Sequence, residues 1–129
     1  MEHVVRDAEA FLPLTPAMFH ILLALTDGER HGYGIMQEVL LRTDGKLRLG
    51  PAVLYRSIKR MLDDGLLEES EERPDPTLDD ARRRYYRLTS FGFQVAQAEA
   101  RRLLNLVSLA QTKHLFPGLE PIKLVWRTS

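Results

Sequence analysis

The sequence predicts a mainly α-helical protein with a small β-hairpin: a winged helix-turn-helix followed by a long C-terminal helix. Three observations predict it. Three amphipathic helical stretches come first, each stopped by a glycine. Two short strand-like runs follow, separated by a proline-rich turn. One long apolar-striped run then continues without a break until Pro117. Helix, helix, helix, hairpin is the order of a winged helix. It divides the chain into an N-terminal arm (1–13), a winged-helix domain (14–88), a long C-terminal helix (89–116) and a tail (117–129).

In the arm, Val4, Val5, Ala8, Phe11 and Leu12 recur at a loosely helical spacing, and they are expected to pack on a partner or on the last helix. Thr15-Pro16 opens the first clear helix, threonine as cap and proline in the first turn, with Met18, Ile21, Leu22 and Leu25 along one face. The run ends at Thr26-Asp27-Gly28. A second helix begins near His31, turns Ile35, Met36, Val39 and Leu40 inward and stops at Thr43-Asp44-Gly45. Gly32 and Gly34 are unusual so early in a helix, where each costs about 1 kcal/mol against alanine. Close passage of two backbones, or of a DNA backbone, would account for them.

The third helix carries the argument. Gly50-Pro51 opens it, because proline at the first helical position gives up an N–H that has no partner there. Gly65 closes it in the left-handed position that helix ends favour. At about 100° per residue, Leu54, Ile58, Met61 and Leu62 gather on one side. Ala52, Arg56, Lys59 and Arg60 lie opposite, with Tyr55 on the flank. An anchored helix whose open side is small and cationic suits insertion into a DNA major groove.

Leu66 and Leu67 lead a strand through LLEESEE, and Arg83 to Leu88 reads as the returning strand. Between them Arg73-Pro-Asp-Pro-Thr must be a loop, since two prolines cannot continue a ladder. Thr89 or Ser90 caps the last helix, expected from Phe91 to about Lys113. Such a helix, about 22 residues long, spans about 33 Å, too long for so small a head to cover. Its face bearing Ala96, Leu103, Leu106, Val107 and Ala110 is therefore expected to meet the same face of a second copy. Pro117-Gly118 breaks the helix, and the tail holds the single tryptophan, Trp126.

The bulk numbers agree with one domain, or one domain with an added helix: 129 residues, 44% apolar and 28% charged. With no cysteine, disulfides, thiolate zinc sites, iron–sulfur clusters and cysteine redox sensors are excluded. No apolar run approaches the roughly 20 residues of a membrane span. The opening MEHVVRDAEAF carries acids where a secretion signal wants bases, so a cytoplasmic protein is expected. An enzyme is not expected, nor a cofactor or metal. His3, His20, His31 and His114 lack ligand spacing, and there is no phosphate-cradling loop and no GxSxG. Asp63-Asp64 and Asp79-Asp80 sit in charged, solvated surroundings.

The formal net charge is +0, but the charges are segregated. From Arg42 to Arg60 six cations (Arg42, Lys46, Arg48, Arg56, Lys59, Arg60) face Asp44 alone, whereas from Asp63 to Asp80 nine acids face only Arg73. Arg82, Arg83, Arg84 and Arg87 then restore positive charge.

Three motifs in this order, HGYGIMQEV, LYRSIKRMLDDGLLEE and RRRYYRLTSFG, resemble the PadR-type transcriptional regulators over roughly residues 14–95, in the subfamily with one short terminal helix. The resemblance implies a winged-helix head and a C-terminal dimerisation helix. It also implies homodimeric binding to palindromic promoter sites, usually as a repressor. The chain departs from many members by having Tyr55-Arg56 where they have Tyr-Pro, which adds a cation to the reading face.

Within that frame Pro51 and Ala52 keep the helix tip slim, and Ala52 can meet a thymine methyl. Tyr55 offers a hydroxyl to phosphate or an apolar edge. Arg56 can bind guanine in bidentate fashion, worth about 1–3 kcal/mol of discrimination. Lys59 and Arg60 neutralise phosphates, and Tyr33 either touches phosphate or packs. Arg82, Arg83 and Arg84 are candidates for backbone or minor-groove contact from the wing. Tyr85 and Tyr86 read as structural. Asp75, Asp79 and Asp80 would repel phosphate, turning the wing tip away from DNA. The expected partners are double-stranded DNA and a second copy, with no membrane; no residue names a small-molecule effector. The alternative is a winged helix that binds protein, which the zero net charge and acidic wing favour.

Overall fold

Each helix starts and stops where local chemistry dictates. In α1 (Pro16–Ala24) the Thr15 hydroxyl accepts the Met18 N–H at 3.1 Å. In α2 (Gly32–Arg42) the cap is His31, whose Nδ1 accepts the Gly34 N–H at 3.0 Å. The chain leaves α2 through Asp44 at φ 55°, and the Gly45 N–H reaches back to the Leu40 carbonyl at 2.8 Å. Helix α3 (Pro51–Asp63) begins at Gly50 with no side-chain cap. It ends at Gly65, φ 78°, where the Leu66 N–H bonds the Met61 carbonyl at 2.8 Å and the Gly65 N–H bonds that of Leu62 at 3.1 Å. Helix α4 runs Ser90–Thr112, its cap the Thr89 hydroxyl, which accepts the Gly92 N–H at 2.9 Å.

The computed structural model describes residues 6–70 and 84–116. The chain forms two compact units, residues 1–99 and 100–129. In the first, the core comprises Ile21 and Leu22 of α1, Ile35 and Val39 of α2, Leu54, Ile58 and Met61 of α3, Leu66, and Val95 of α4. Burying each such side chain contributes about 1.5–3 kcal/mol, so the inner faces of the three short helices hold the head together.

The wing carries more sheet than a hairpin. Strands β2 (Leu67–Ser70) and β3 (Tyr85–Leu88) pair antiparallel, with Leu67 opposite Leu88 and Ser70 opposite Tyr85. The two-residue strand β1 (Arg30–His31) adds to the other edge of β3, giving the order β1-β3-β2. Tyr85 and Tyr86 are both buried, against the alternation of a half-covered strand. Tyr86 joins the core, while Tyr85 meets the His31 ring edge-on at 5.2 Å.

The arm forms a 3-10 turn, Ala8–Phe11, and Phe11 packs edge-on against Phe91 of α4 at 5.4 Å. Ala96 corrects the expected dimer face: it is 7% exposed and belongs to the core of the head, because the first turns of α4 are buried there along with Val95. In the second unit the helix continues through Leu103, Leu104, Val107 and Ala110, all half-buried, and Leu106 and Leu109, both exposed. The tail with Trp126, residues 1–5, the wing tip with Asp75, Asp79 and Asp80, and Arg82 and Arg83 lie outside the described residues. Among those described, no helix is long and apolar enough to cross a membrane, and no group of three or more His, Cys, Asp or Glu could hold a metal ion.

Candidate nucleic-acid interface

Helix α3 presents one face outward because its other face is consumed by the core. Leu54, Ile58 and Met61 are fully or almost fully buried, and Pro51, Ala52, Tyr55, Arg56, Lys59 and Arg60 are all exposed. The same exposed surface includes Val53, an apolar residue the sequence pattern did not single out. A three-residue offset from Arg56 was the available signal, since residues that far apart share a helix face.

The cations are not equally free. Lys59 lies 3.5 Å from exposed Asp63 and Arg60 lies 3.5 Å from half-buried Asp64, each pair one turn apart. Such pairs are worth only a few tenths of a kcal/mol, roughly 0.3–0.5, so a phosphate can compete for either cation. Arg84, at the foot of β3, pairs with Glu69 at 3.1 Å, and Arg87 pairs with Glu68 at 2.8 Å. Arg42, counted in the basic stretch, is engaged by Glu38 and by Asp27 at 3.7 Å. Among the described residues Arg56, Lys46 and Arg48 make no ion pair. Arg56 is thus the one unengaged cation on α3, in the middle of its open face.

Tyr55 is 47% exposed, and what covers the rest explains Gly32. A Cβ at Gly32 would collide with the Tyr55 hydroxyl and lie 2.7 Å from its Cζ. The glycine therefore makes room for the aromatic ring of α3 against the first turn of α2. A side chain, not a second backbone, is what passes closely. Gly34 has no comparable neighbour; its nearest contact is the capping His31 ring at 3.5 Å. Tyr33 is exposed at the same helix start and stacks on His31 with centroids 6.5 Å apart. Tyr33 and Tyr55 thereby flank one junction, where α2 begins and α3 passes.

Tyr86 of β3, opposite Arg30 of β1, is buried in the core of the head. Burial pushes its hydroxyl above the ordinary tyrosine value, Glu69 and Tyr55 add to the shift, and the Arg84 guanidinium opposes it. At physiological pH the group stays neutral and adds no negative charge to the cationic face.

The far end of α3 is firmly held. The Thr89 hydroxyl donates to the Gly65 carbonyl at 2.6 Å, and the Thr89 N–H donates to the Leu66 carbonyl at 3.1 Å. Arg6 donates to the Asp64 carbonyl and lies 4.0 Å from the Phe91 ring centroid. Gly92 sits so close to the Leu66 carbonyl oxygen that no Cβ fits there.

The model of the transcriptional regulator PadR-like family matches residues 21–98. That span includes α3, the described wing strands and the head portion of α4. Among solved structures, a transcriptional regulator from Clostridium thermocellum is 20% identical, with 87% of this chain and 99% of that one covered at a TM-score of 0.64. RosR of H. salinarum is 26% identical over 74% of this chain and 78% of its own, TM-score 0.58. Bacillus subtilis PadR in complex with operator DNA is 22% identical over 67% of this chain and 47% of its own, TM-score 0.54. No curated protein matches the chain.

Proposed function

The chain belongs to the transcriptional regulator PadR-like family, and from that premise we propose that it binds DNA as a homodimeric repressor of an inverted-repeat operator. The observation that carries the proposal is the division of α3 into a buried apolar back and an exposed face centred on unengaged Arg56. Tyr33, Pro51, Ala52, Tyr55, Arg56, Lys59 and Arg60 are the proposed contacts from the head, with Arg82, Arg83 and Arg84 from the wing. Arg84 must first leave Glu69. The complex of Bacillus subtilis PadR with operator DNA supports the reading by likeness of fold.

Leu103, Leu106, Val107 and Ala110 are the proposed dimer contacts. Exposed Leu106 and Leu109 leave an apolar strip that water covers poorly, and a two-fold pairing of the strips removes it from solvent. Two such heads would address successive major grooves about 34 Å apart. An effector would act by binding one spacing of the heads better than the other.

The test is Arg56→Ala combined with Lys59→Ala, measured against a duplex selected from random sequence. Loss of two phosphate or base contacts should weaken binding at least tenfold at moderate salt and flatten the salt dependence, with fold and dimer unchanged. Equal affinity for wild type and variant would refute the proposed face. Absence of salt-dependent binding to any duplex would favour a protein-binding winged helix.

A further inference from the structure

Val53 is 38% exposed on the first turn of α3. A β-branched residue gives up helix propensity relative to alanine, and here half-exposure returns little burial for it. The core does not need it, because Leu54, Ile58 and Met61 already fill the inner face. At about 100° per residue it falls about 60° from Arg56, with Ala52 about 40° away on the other flank. Two turns further on, exposed Arg60 lies on the same flank as Val53. The valine therefore stands as an apolar group inside a cationic surface.

A surface that draws a polyanion and carries one branched apolar side chain has a single sort of counterpart in a major groove. The exposed base edges there are hydrogen-bond donors and acceptors, except for the thymine C5 methyl. We propose that Val53 is a specificity-determining residue that reads one thymine methyl in each half-site. The proposal rests on the DNA-binding reading above and adds to it the identity of one base contact. Ala52, one methyl on the opposite flank, contributes a narrower surface.

A duplex selected from random sequence by the full-length protein, then resynthesised with each thymine in turn replaced by deoxyuridine, supplies the probe. The replacement removes the methyl and leaves every hydrogen-bonding group in place. In the wild-type chain one position per half-site should lose about fourfold in affinity, the worth of one buried methyl-sized group. Val53→Ala should bind the parent duplex more weakly and show no loss at that position. Ala52→Ser should keep the loss. No methyl penalty at any thymine, or a penalty undiminished in Val53→Ala, overturns the proposal while duplex binding itself stands. If the wild-type chain binds no duplex, the DNA reading falls and this contact falls with it.

Discussion

Gly32→Ala separates the positioning of α3 from the stability of the head. An ideal Cβ there lies 2.7 Å from Tyr55 Cζ and 2.9 Å from Cε1, so the alanine and the ring cannot both stay. What must move is the far end of a side chain, not backbone. Alanine gains up to about 1 kcal/mol over glycine in a helix. Tyr55, already 47% exposed, would give up its remaining contact with α2. If that contact is about a quarter of the roughly 200 Å² an aromatic can bury, the loss at about 25 cal/mol per Å² is about 1.3 kcal/mol. The two terms nearly cancel, and the melting temperature should shift by less than about 5 °C. Tyr55, however, would no longer be held beside α2, and duplex affinity should fall about tenfold, the loss of one positioned contact. Circular dichroism melts and fluorescence anisotropy with a selected duplex measure the two quantities. Tyr55→Ala should lose as much affinity alone, and the double variant should lose no more than either. A large drop in melting temperature with unchanged affinity would refute the assignment, making Gly32 a packing residue and Tyr55 a bystander.

Gly92→Ala should behave in the opposite way. Its Cβ would collide with the Leu66 carbonyl, backbone already fixed by the Thr89 N–H, so about 2–3 kcal/mol should vanish from urea unfolding. Thr89→Val keeps the shape but removes the hydroxyl that caps α4 and donates to Gly65, at an expected cost of about 1–2 kcal/mol in the same assay. Leu106→Asp puts a carboxylate on the exposed strip of α4 and should shift sedimentation from dimer to monomer at micromolar protein, with the head still folded. Tyr86 titrates above its ordinary value in the fold, so its contribution is complete below about pH 10 and is lost as pH climbs through the higher folded value. Tyr86→Phe should therefore lose less stability than the parent as pH rises above about 10.

The helices were legible because their signals are local. Thr15, Pro51 and Gly65 each act on their own turn, and the spacing of Leu54, Ile58 and Met61 declares the inner face of α3 without reference to the rest of the chain. Strand β1 was not legible. Two residues show no periodicity, and Arg30 and His31 become a strand only because Tyr86 and Tyr85 lie beside them. Ala96 failed for a related reason: the helical pattern of α4 continues unchanged from the part packed on the head to the part beyond it. At the candidate site the outward face followed from periodicity. The state of its charges did not, since Glu69 reaches Arg84 only through the pairing of β2 with β3. The reason for Gly32 was likewise hidden, because the ring that fills its space comes from another helix.

The two ends of α3 are treated in opposite ways, and the proposed groove reading requires that asymmetry. The last carbonyls of a helix lack partners within it. Here those of Met61 and Leu62 receive the Leu66 and Gly65 N–H groups, that of Asp64 receives Arg6, and the Gly65 carbonyl just beyond receives the Thr89 hydroxyl. Donors thus come from the arm, from the turn and from the start of α4. The opening end has Gly50 with no side-chain cap, Pro51 without an N–H, and Ala52 with a single methyl. A capping serine or aspartate in place of this glycine would steady that end by a few tenths of a kcal/mol, roughly 0.3, and an aspartate would also place negative charge where a phosphate must approach. Groove entry by the first turn needs a slim, uncharged tip on a helix steadied from behind. Gly50→Asp should accordingly raise the melting temperature while weakening duplex binding, and a variant that gained in both would break the link drawn between the bare tip and the DNA.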